Sequence, residues 1–519
     1  MSSIPDGLVS IYIPEDEGIA FVGWGSGYTS ISLNQETSKL RSCFENIVIN
    51  PQTKIITNNG KEVAKAFLSC GLPACEIIDV EISEKLIANG EVEYRCLNLK
   101  TVFKRYKFPE GLERSVVVHR LVDVWAMQEP LIKSGGLETV FGLESKLIWV
   151  TTKIEAAGIG IDGDGLLRYY DFLTAKLENL TAVLEKMIPE GISLNDREKI
   201  KEHLNSAYFL SLAKIDEESI KTIPKAEVNR LASNLIEYWK TGRERRDVEY
   251  YISLTGPDGR VRDSIDQLNT KTGRFYRPLQ TVQKDGQMRS LFRAREGYKF
   301  IVADYSQQEA RIIAGLSNDR VAIDLFKAGK DIYLETAKLV GGRDVDNQWY
   351  RNLGKEIFLG LNNGRSAYSI CGSLERLGFG CDVDDVHGML LGFNMAFSGI
   401  QRWREVIASS ALENGVITTA MGRALKVAKD TNVNSLFNYP VQGTAADGFK
   451  LALIRLDRKL AGNDARIVHI LHDEVIVEAS DAIADDVAET VKHCMERAFK
   501  EILPGMTFVV EPEIRDRWK

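Results

Sequence analysis

Residues 299 to 311, Lys-Phe-Ile-Val-Ala-Asp-Tyr-Ser-Gln-Gln-Glu-Ala-Arg, constrain the fold more than any other stretch, because an apolar run stops at a carboxylate and turns polar. Phe300 to Ala303 predict a buried strand, with Asp304 where that strand emerges. Helical spacing follows through Ile312, Ile313 and Leu316, which places Glu309 and Arg311 on the helix's first turns. A strand that delivers a carboxylate to a helix start can hold a metal ion. Taken alone, the same Asp serves equally well as a helix N-cap.

Two more stretches complete the pattern. In residues 466 to 478, the β-branched runs Ile467 to Leu471 and Val475 to Val477 flank His472-Asp473-Glu474, which predicts a hairpin with acids at its tip. Apolar strands beside a carboxylate pair are costly to bury unless a cation compensates the charge. Between these stretches, Arg351, Lys355, Leu359 and Asn363 recur every fourth residue, so two cations share one helix face. Such a row can grip a triphosphate brought to carboxylate-held metal ions.

In this order the three pieces resemble the family-A DNA polymerases of the bacterial DNA polymerase I type. Asp304-Tyr305-Ser306-Gln307-Gln308-Glu309-Ala310-Arg311 is similar to the family's first catalytic motif, with departures at Gln308 and Ala310. Arg351, Lys355, Gly360 and Gly364 match the frame of the second, and His472-Asp473-Glu474 the third. Thr272-Gly273-Arg274, Leu279-Gln280 and the run from Asn438 to Asp447 add further matches. The family's second motif usually carries an aromatic residue at the position of Leu359 and a Tyr at that of Asn363; both rings are missing. The resemblance is specific from about residue 270 onward.

Length and composition agree with a multidomain enzyme. At 519 residues the chain needs about three or four cores, and 44% hydrophobic with 27% charged residues is an ordinary globular balance. The formal charge of −7 excludes a coat of basic surface, so nucleic-acid contacts must come from local patches such as Lys240 to Arg246 and Arg289 to Arg295. Seven cysteines without Cys-x-x-Cys spacing predict reduced thiols in a cytoplasm and no zinc module. No signal-peptide pattern or membrane-spanning run is present in the sequence.

The resemblance implies an α+β, right-hand polymerase with an antiparallel palm sheet and helical fingers and thumb, preceded by a ribonuclease H-like α/β domain. The expected divisions are 1–130 exonuclease-like, 131–260 thumb, 261–320 palm, 321–424 fingers and 425–519 palm. In the first domain the family's Asp-x-Glu is Ile11-Tyr12-Ile13, and Asn58 to Glu62 lacks the next Asp. Asp79 and Asp123 remain, and two scattered acids predict a scaffold without 3′–5′ nuclease activity. The activity implied is template-directed addition of deoxynucleotides to a primer 3′ end, in replication or repair, by a monomer acting on primer–template DNA.

The same resemblance assigns the residues. Asp304, Asp473 and the backbone of Tyr305 would hold two Mg²⁺ ions. Arg351 and Lys355 would meet the γ- and α-phosphates, and Gln307, Glu309, Leu359 and Asn363 would complete the nucleotide site. Arg274, Gln280, Arg311, Asn438, Gln442, His472 and Glu474 would face DNA. Glu309 would block a ribose 2′-hydroxyl, which argues against a single-subunit RNA polymerase; retention of both acids and both cations argues against a silent DNA-binding accessory protein.

Overall fold

The computed structural model describes residues 8–14, 18–24, 27–33, 41–45, 53–216, 223, 226–277, 279, 282, 286–341, 347–428, 431 and 436–518. The chain divides into two compact units: residues 1–157, 264–280 and 301–514 form the first, and residues 158–263, 281–300 and 515–519 the second. The expected divisions at 130/131 and 260/261 therefore do not separate units. Helix Arg114–Ser134 runs through the former and strand Arg260–Val261 through the latter.

The first unit begins with a five-stranded sheet ordered Gly27–Ser32, Ile19–Trp24, Leu8–Tyr12, Lys54–Thr57, Glu76–Asp79. The first three strands pair antiparallel, and Leu8–Tyr12, Lys54–Thr57 and Glu76–Asp79 pair parallel. This is the α/β domain expected. Val9, Ile11, Ile55 and Ile77 pack against Phe67 and Val63 of helix Gly60–Ser69 on one side. Ile56 and Ile78 face Val117, Leu121 and Val124 of helix Arg114–Ser134 on the other. Both faces of the central strands are thus covered, as parallel pairing requires.

Helix Glu138–Ala157 is buried on nearly all sides, with polar Glu144, Thr151, Thr152 and Glu155 among its buried residues, and joins this domain to a second sheet. That sheet is ordered Ala465–Leu471, Glu474–Ser480, Tyr298–Ala303, Glu513–Arg515. Helices Asn438–Leu460 and Ala484–Ile502 pack together against it, and Phe499 stacks on Phe508 at 4.3 Å. Helices Ile332–Gly341, Gln348–Asn362, Ala367–Arg376 and Val383–Ala396 form a separate helical lobe around Phe358, Phe393 and Phe397. The helix-rich stretch expected for the fingers is present.

The second unit pairs two long helices, Gly163–Leu184 and Ala226–Leu254. At one end Leu184, Ile200, Leu204, Leu231 and Leu235 form a small core. The chain end returns to this unit: Trp518 is fully buried, edge-on to Phe292 at 5.4 Å and beneath the Arg289 guanidinium at 4.2 Å. Arg289, expected in a basic DNA patch, is therefore a buried packing residue, because its planar cation is spent on an indole face.

Candidate active site

Strand Tyr298–Ala303 buries its last four residues and releases Asp304 into solvent, where Asp304 Oδ1 accepts the Tyr305 N–H at 2.7 Å. Tyr305 turns back into the core and donates its hydroxyl to the Met495 carbonyl at 3.0 Å. On the facing hairpin Leu471 pairs with Glu474, so His472 and Asp473 form a two-residue turn. His472 sits at φ 54° and Gln307 at φ 53°. Left-handed non-glycine residues cost free energy and cluster at functional sites.

Asp304 and Asp473 come within hydrogen-bonding reach of each other. Burial pushes the Asp473 carboxyl up to about 7, and the like charge of Asp304 adds to that rise. Tyr305 beneath them is driven well above the usual phenol range by burial and by both carboxylates. Among the described residues neither acid has a salt bridge, and no group of three or more metal-ligating side chains converges anywhere. Two neighbouring carboxylates that no salt bridge closes, with only the Arg274 charge nearby, suit a divalent ion, and the Tyr305 backbone lies beside them.

A cleft of about 320 Å³ opens at Asp473 and is lined by His472, Gln307, Glu309 and Arg274, with Arg351, Lys355 and Leu359 also on its wall; Asp304 itself is not among the lining residues. The row of three comes from helix Gln348–Asn362, whose close approach to helix Ile332–Gly341 depends on Gly354. A Cβ at that glycine would sit 1.7 Å from the Tyr333 carbonyl oxygen. Lys355 is exposed and pairs with no described carboxylate. Arg351 donates Nε–H to Asp331 at 2.8 Å, and Glu309 accepts from Arg274 at 3.0 Å. The aromatic residues that line the cleft are Phe275, Tyr305, Tyr333 and Phe449.

Not every expected site residue joins the cleft. Arg311 is buried: Nε donates to the Ser306 carbonyl at 2.8 Å, Nη1 to the Thr507 carbonyl at 2.6 Å, and its guanidinium lies over Phe326. It braces the turn after Asp304 with its donors turned inward, at odds with the DNA contact expected of it. Asn363 caps the end of helix Gln348–Asn362 and does not line the cleft. Asn438 and Gln442 lie one turn apart on helix Asn438–Leu460, preceding the cleft residues Ala445, Ala446 and Phe449. Glu474 opens its strand beside the acid pair, and Gln280 lies outside the described residues. In sequence, Asp331 and Tyr333 are seen only as the stretch Asp331-Ile332-Tyr333, where the family often has Asp-Ile-His, without a role, and Phe275 and Phe449 are missed; an i to i+4 relation to Ala445 is the available signal for Phe449.

The N-terminal domain holds a second cleft, about 680 Å³, at the ends of its parallel strands, lined by Asn58, Asn59, Lys61, Asp79, Lys85 and Lys100 among others. Asp79 is buried and spent on backbone: it accepts from Gly60, Glu81 and Ile82 N–H groups at 2.8–3.1 Å. Asp123 lies at the surface, paired with Arg120 at 2.6 Å. Lys61, also at this cleft, bonds Glu155 at 2.7 Å and the Ile265 carbonyl at 2.8 Å.

The family model for DNA polymerase family A matches residues 165–519. The chain belongs to that family. The match reaches back beyond the stretch where the motifs are dense and covers most of the second unit. DNA polymerase I of Aquifex aeolicus (strain VF5) is 28% identical over 399 residues, covering 72% of this chain and 67% of that protein. The thermostable DNA polymerase I of Thermus caldophilus is 27% identical over 399 residues, covering 70% of this chain and 47% of its own, so the chain spans about half the length of that relative. The polymerase domain of Pol1 from M. smegmatis, solved with DNA primer-template and dNTP, superposes with a TM-score of 0.85 over 98% of this chain and 95% of its own. At 20% identity that likeness establishes the family-A fold. Among the described residues no helix is long and apolar enough to cross a membrane.

Proposed function

We propose that this chain is a template-directed DNA polymerase that extends a primer 3′ end with deoxynucleotides, as a monomer in the cytoplasm, in replication or repair. One observation carries the reading: Asp473, beside Asp304 and without a salt bridge among the described residues, shares a cleft with Lys355 and Arg351. Asp304, Asp473 and the Tyr305 carbonyl would hold two Mg²⁺ ions, which supply charge neutralisation and a more acidic primer 3′-hydroxyl. Lys355 and Arg351 place positive charge at the α- and γ-phosphates, where negative charge grows as pyrophosphate leaves. Lys355, exposed and unpaired, is the group able to protonate that leaving group. Glu309, which lines the cleft and accepts from Arg274, would exclude a ribose 2′-hydroxyl.

The N-terminal domain acts as a scaffold without proofreading in this reading. Support comes from Asp79, whose oxygens are used on backbone N–H groups, and from Lys61 on Glu155. Primer extension with Mg²⁺ and deoxy- or ribonucleoside triphosphates side by side tests the whole reading. The expected result is rapid deoxynucleotide addition, ribonucleotide addition only after Glu309→Ala, and no shortening of a mismatched 3′ end when nucleotides are withheld. Equal use of both sugars by the unaltered chain would turn the reading to an RNA polymerase, and no extension at all to a DNA-binding accessory protein.

A further inference from the structure

Asp331 joins two parts of the cleft that come from distant stretches of chain. Its Oδ2 accepts Nε–H of Arg351 at 2.8 Å and the Gln307 amide at 3.2 Å. Its Oδ1 caps helix Ile332–Gly341, accepting from Tyr333 and Leu334 N–H at 2.9 and 3.1 Å. Gln307, left-handed at φ 53°, returns a bond by accepting Ile332 N–H at 3.1 Å. The Arg351 guanidinium also lies 5.3 Å from the centre of the Tyr333 ring. A simple helix cap needs neither the arginine nor the glutamine.

From this geometry we infer that Asp331 is a positioning residue for the incoming triphosphate: it holds Arg351 by the Nε corner so that the Nη end is presented to the γ-phosphate. The inference rests on the polymerase reading above. A free arginine side chain is rotamer-rich, and ordering it on binding costs affinity. With Nε engaged and the ring of Tyr333 alongside, much of that order exists before the nucleotide arrives. Gln307, two residues before Glu309, ties the same carboxylate to the motif that carries Asp304. Arg351 and the acid pair are thereby referred to one anchor.

Asparagine caps helices as well as aspartate does, so Asp331→Asn keeps the cap and removes the charge on Arg351. The test is equilibrium trapping of a deoxynucleoside triphosphate by the full chain on a dideoxy-terminated primer–template with Mg²⁺. Asp331→Asn should weaken triphosphate binding about two- to tenfold, the range for losing one pre-ordered side chain. Binding of the matching deoxynucleoside diphosphate, which lacks the γ-phosphate, should not change. In an Arg351→Ala background the same substitution should have no further effect. Equal weakening of diphosphate and triphosphate, or additive losses in the double variant, overturns the assignment. Should Asp331→Asn fail to fold, Arg351→Lys carries the test, since it keeps the charge and lacks the fork; undiminished triphosphate affinity there also overturns it. A wild-type chain that traps no triphosphate refutes the polymerase reading and the inference together, whereas trapping with additive losses refutes only the role of Asp331.

Discussion

Glu144 and Asp447 lie fully buried between Arg423 and Lys450, whereas Asp304 and Asp473 meet at the mouth of a cleft with no ion pair among the described residues. Arg423 Nη2 sits 2.6 Å from Glu144 and 2.7 Å from Asp447, and Thr419 and Gln267 take further carboxylate oxygens. Burial alone would raise the Glu144 carboxyl, yet Lys450 and Arg423 beside it hold it below the usual range. Asp473 moves the opposite way, up to about 7. Two acids closed by two cations make a structural joint between helix Glu138–Ala157 and helix Asn438–Leu460. Two acids that no ion pair closes, with Asp473 held up despite the nearby Arg274, make a place for a cationic ligand.

The comparison breaks most visibly at the open pair. Asp304→Ala or Asp473→Ala should lower primer extension by about 10³-fold or more, since metal-held charge stabilisation is worth several kcal/mol. Neither should lower the melting temperature, because each removes a like-charge contact. Duplex affinity, which comes mainly from phosphate contacts, should persist. Added Mg²⁺ should raise the melting temperature of the unaltered chain and leave that of Asp473→Ala unmoved. If either variant keeps wild-type turnover, the open pair is not the ligand site.

At the closed pair the losses fall on stability instead. Glu144→Gln leaves Arg423 and Lys450 short of one charge in a dry site, and breaking a buried pair in this way costs about 3–5 kcal/mol. Urea unfolding should show the drop. Extension per folded molecule should stay near normal, because no atom of this network lines the cleft. A stable Glu144→Gln with impaired catalysis would erase the distinction between joint and site.

How far each pair was legible in the sequence follows the same division. Asp304 and Asp473 could be read because each ends an apolar run, and an acid at such a boundary is visible without knowing its neighbours. The strand-to-helix motif was legible for a similar reason of local pattern. Glu144, Arg423, Asp447 and Lys450 are scattered along the chain, and their pairing exists only once helices Glu138–Ala157 and Asn438–Leu460 are packed. Arg311 shows the converse error: its position in a motif implied DNA contact, but burial and two carbonyls claimed it. The strands Lys54–Thr57 and Gly27–Ser32 escaped notice because they are short and carry Thr, Ser and Lys in place of a strong apolar run.

The smallest predicted effect concerns how the cleft selects its nucleotide. Leu359 lines the cleft where relatives of the resembled family usually place a ring, and Asn363 stands where they place a Tyr. Neither nearby ring replaces them: Phe358 of the same helix is locked among Tyr333, Phe393 and Phe397, and Tyr368 of helix Ala367–Arg376 is 79% exposed. The aromatic residues that line the cleft, Phe275, Tyr305, Tyr333 and Phe449, come from other elements. An added aromatic contact is worth about 0.5–1.5 kcal/mol beyond its buried area, and about 1.4 kcal/mol corresponds to tenfold selection. Leu359→Phe with Asn363→Tyr should therefore improve right-over-wrong insertion by up to about tenfold. Leu359→Phe should carry most of the gain, because Asn363 caps the helix and does not line the cleft. Single-nucleotide insertion efficiencies for the unaltered chain, each single variant and the pair decide it. No gain from Leu359→Phe would mean that Phe275, Phe449 and Tyr333 already close the pocket, and that selection here is governed from the walls opposite the helix.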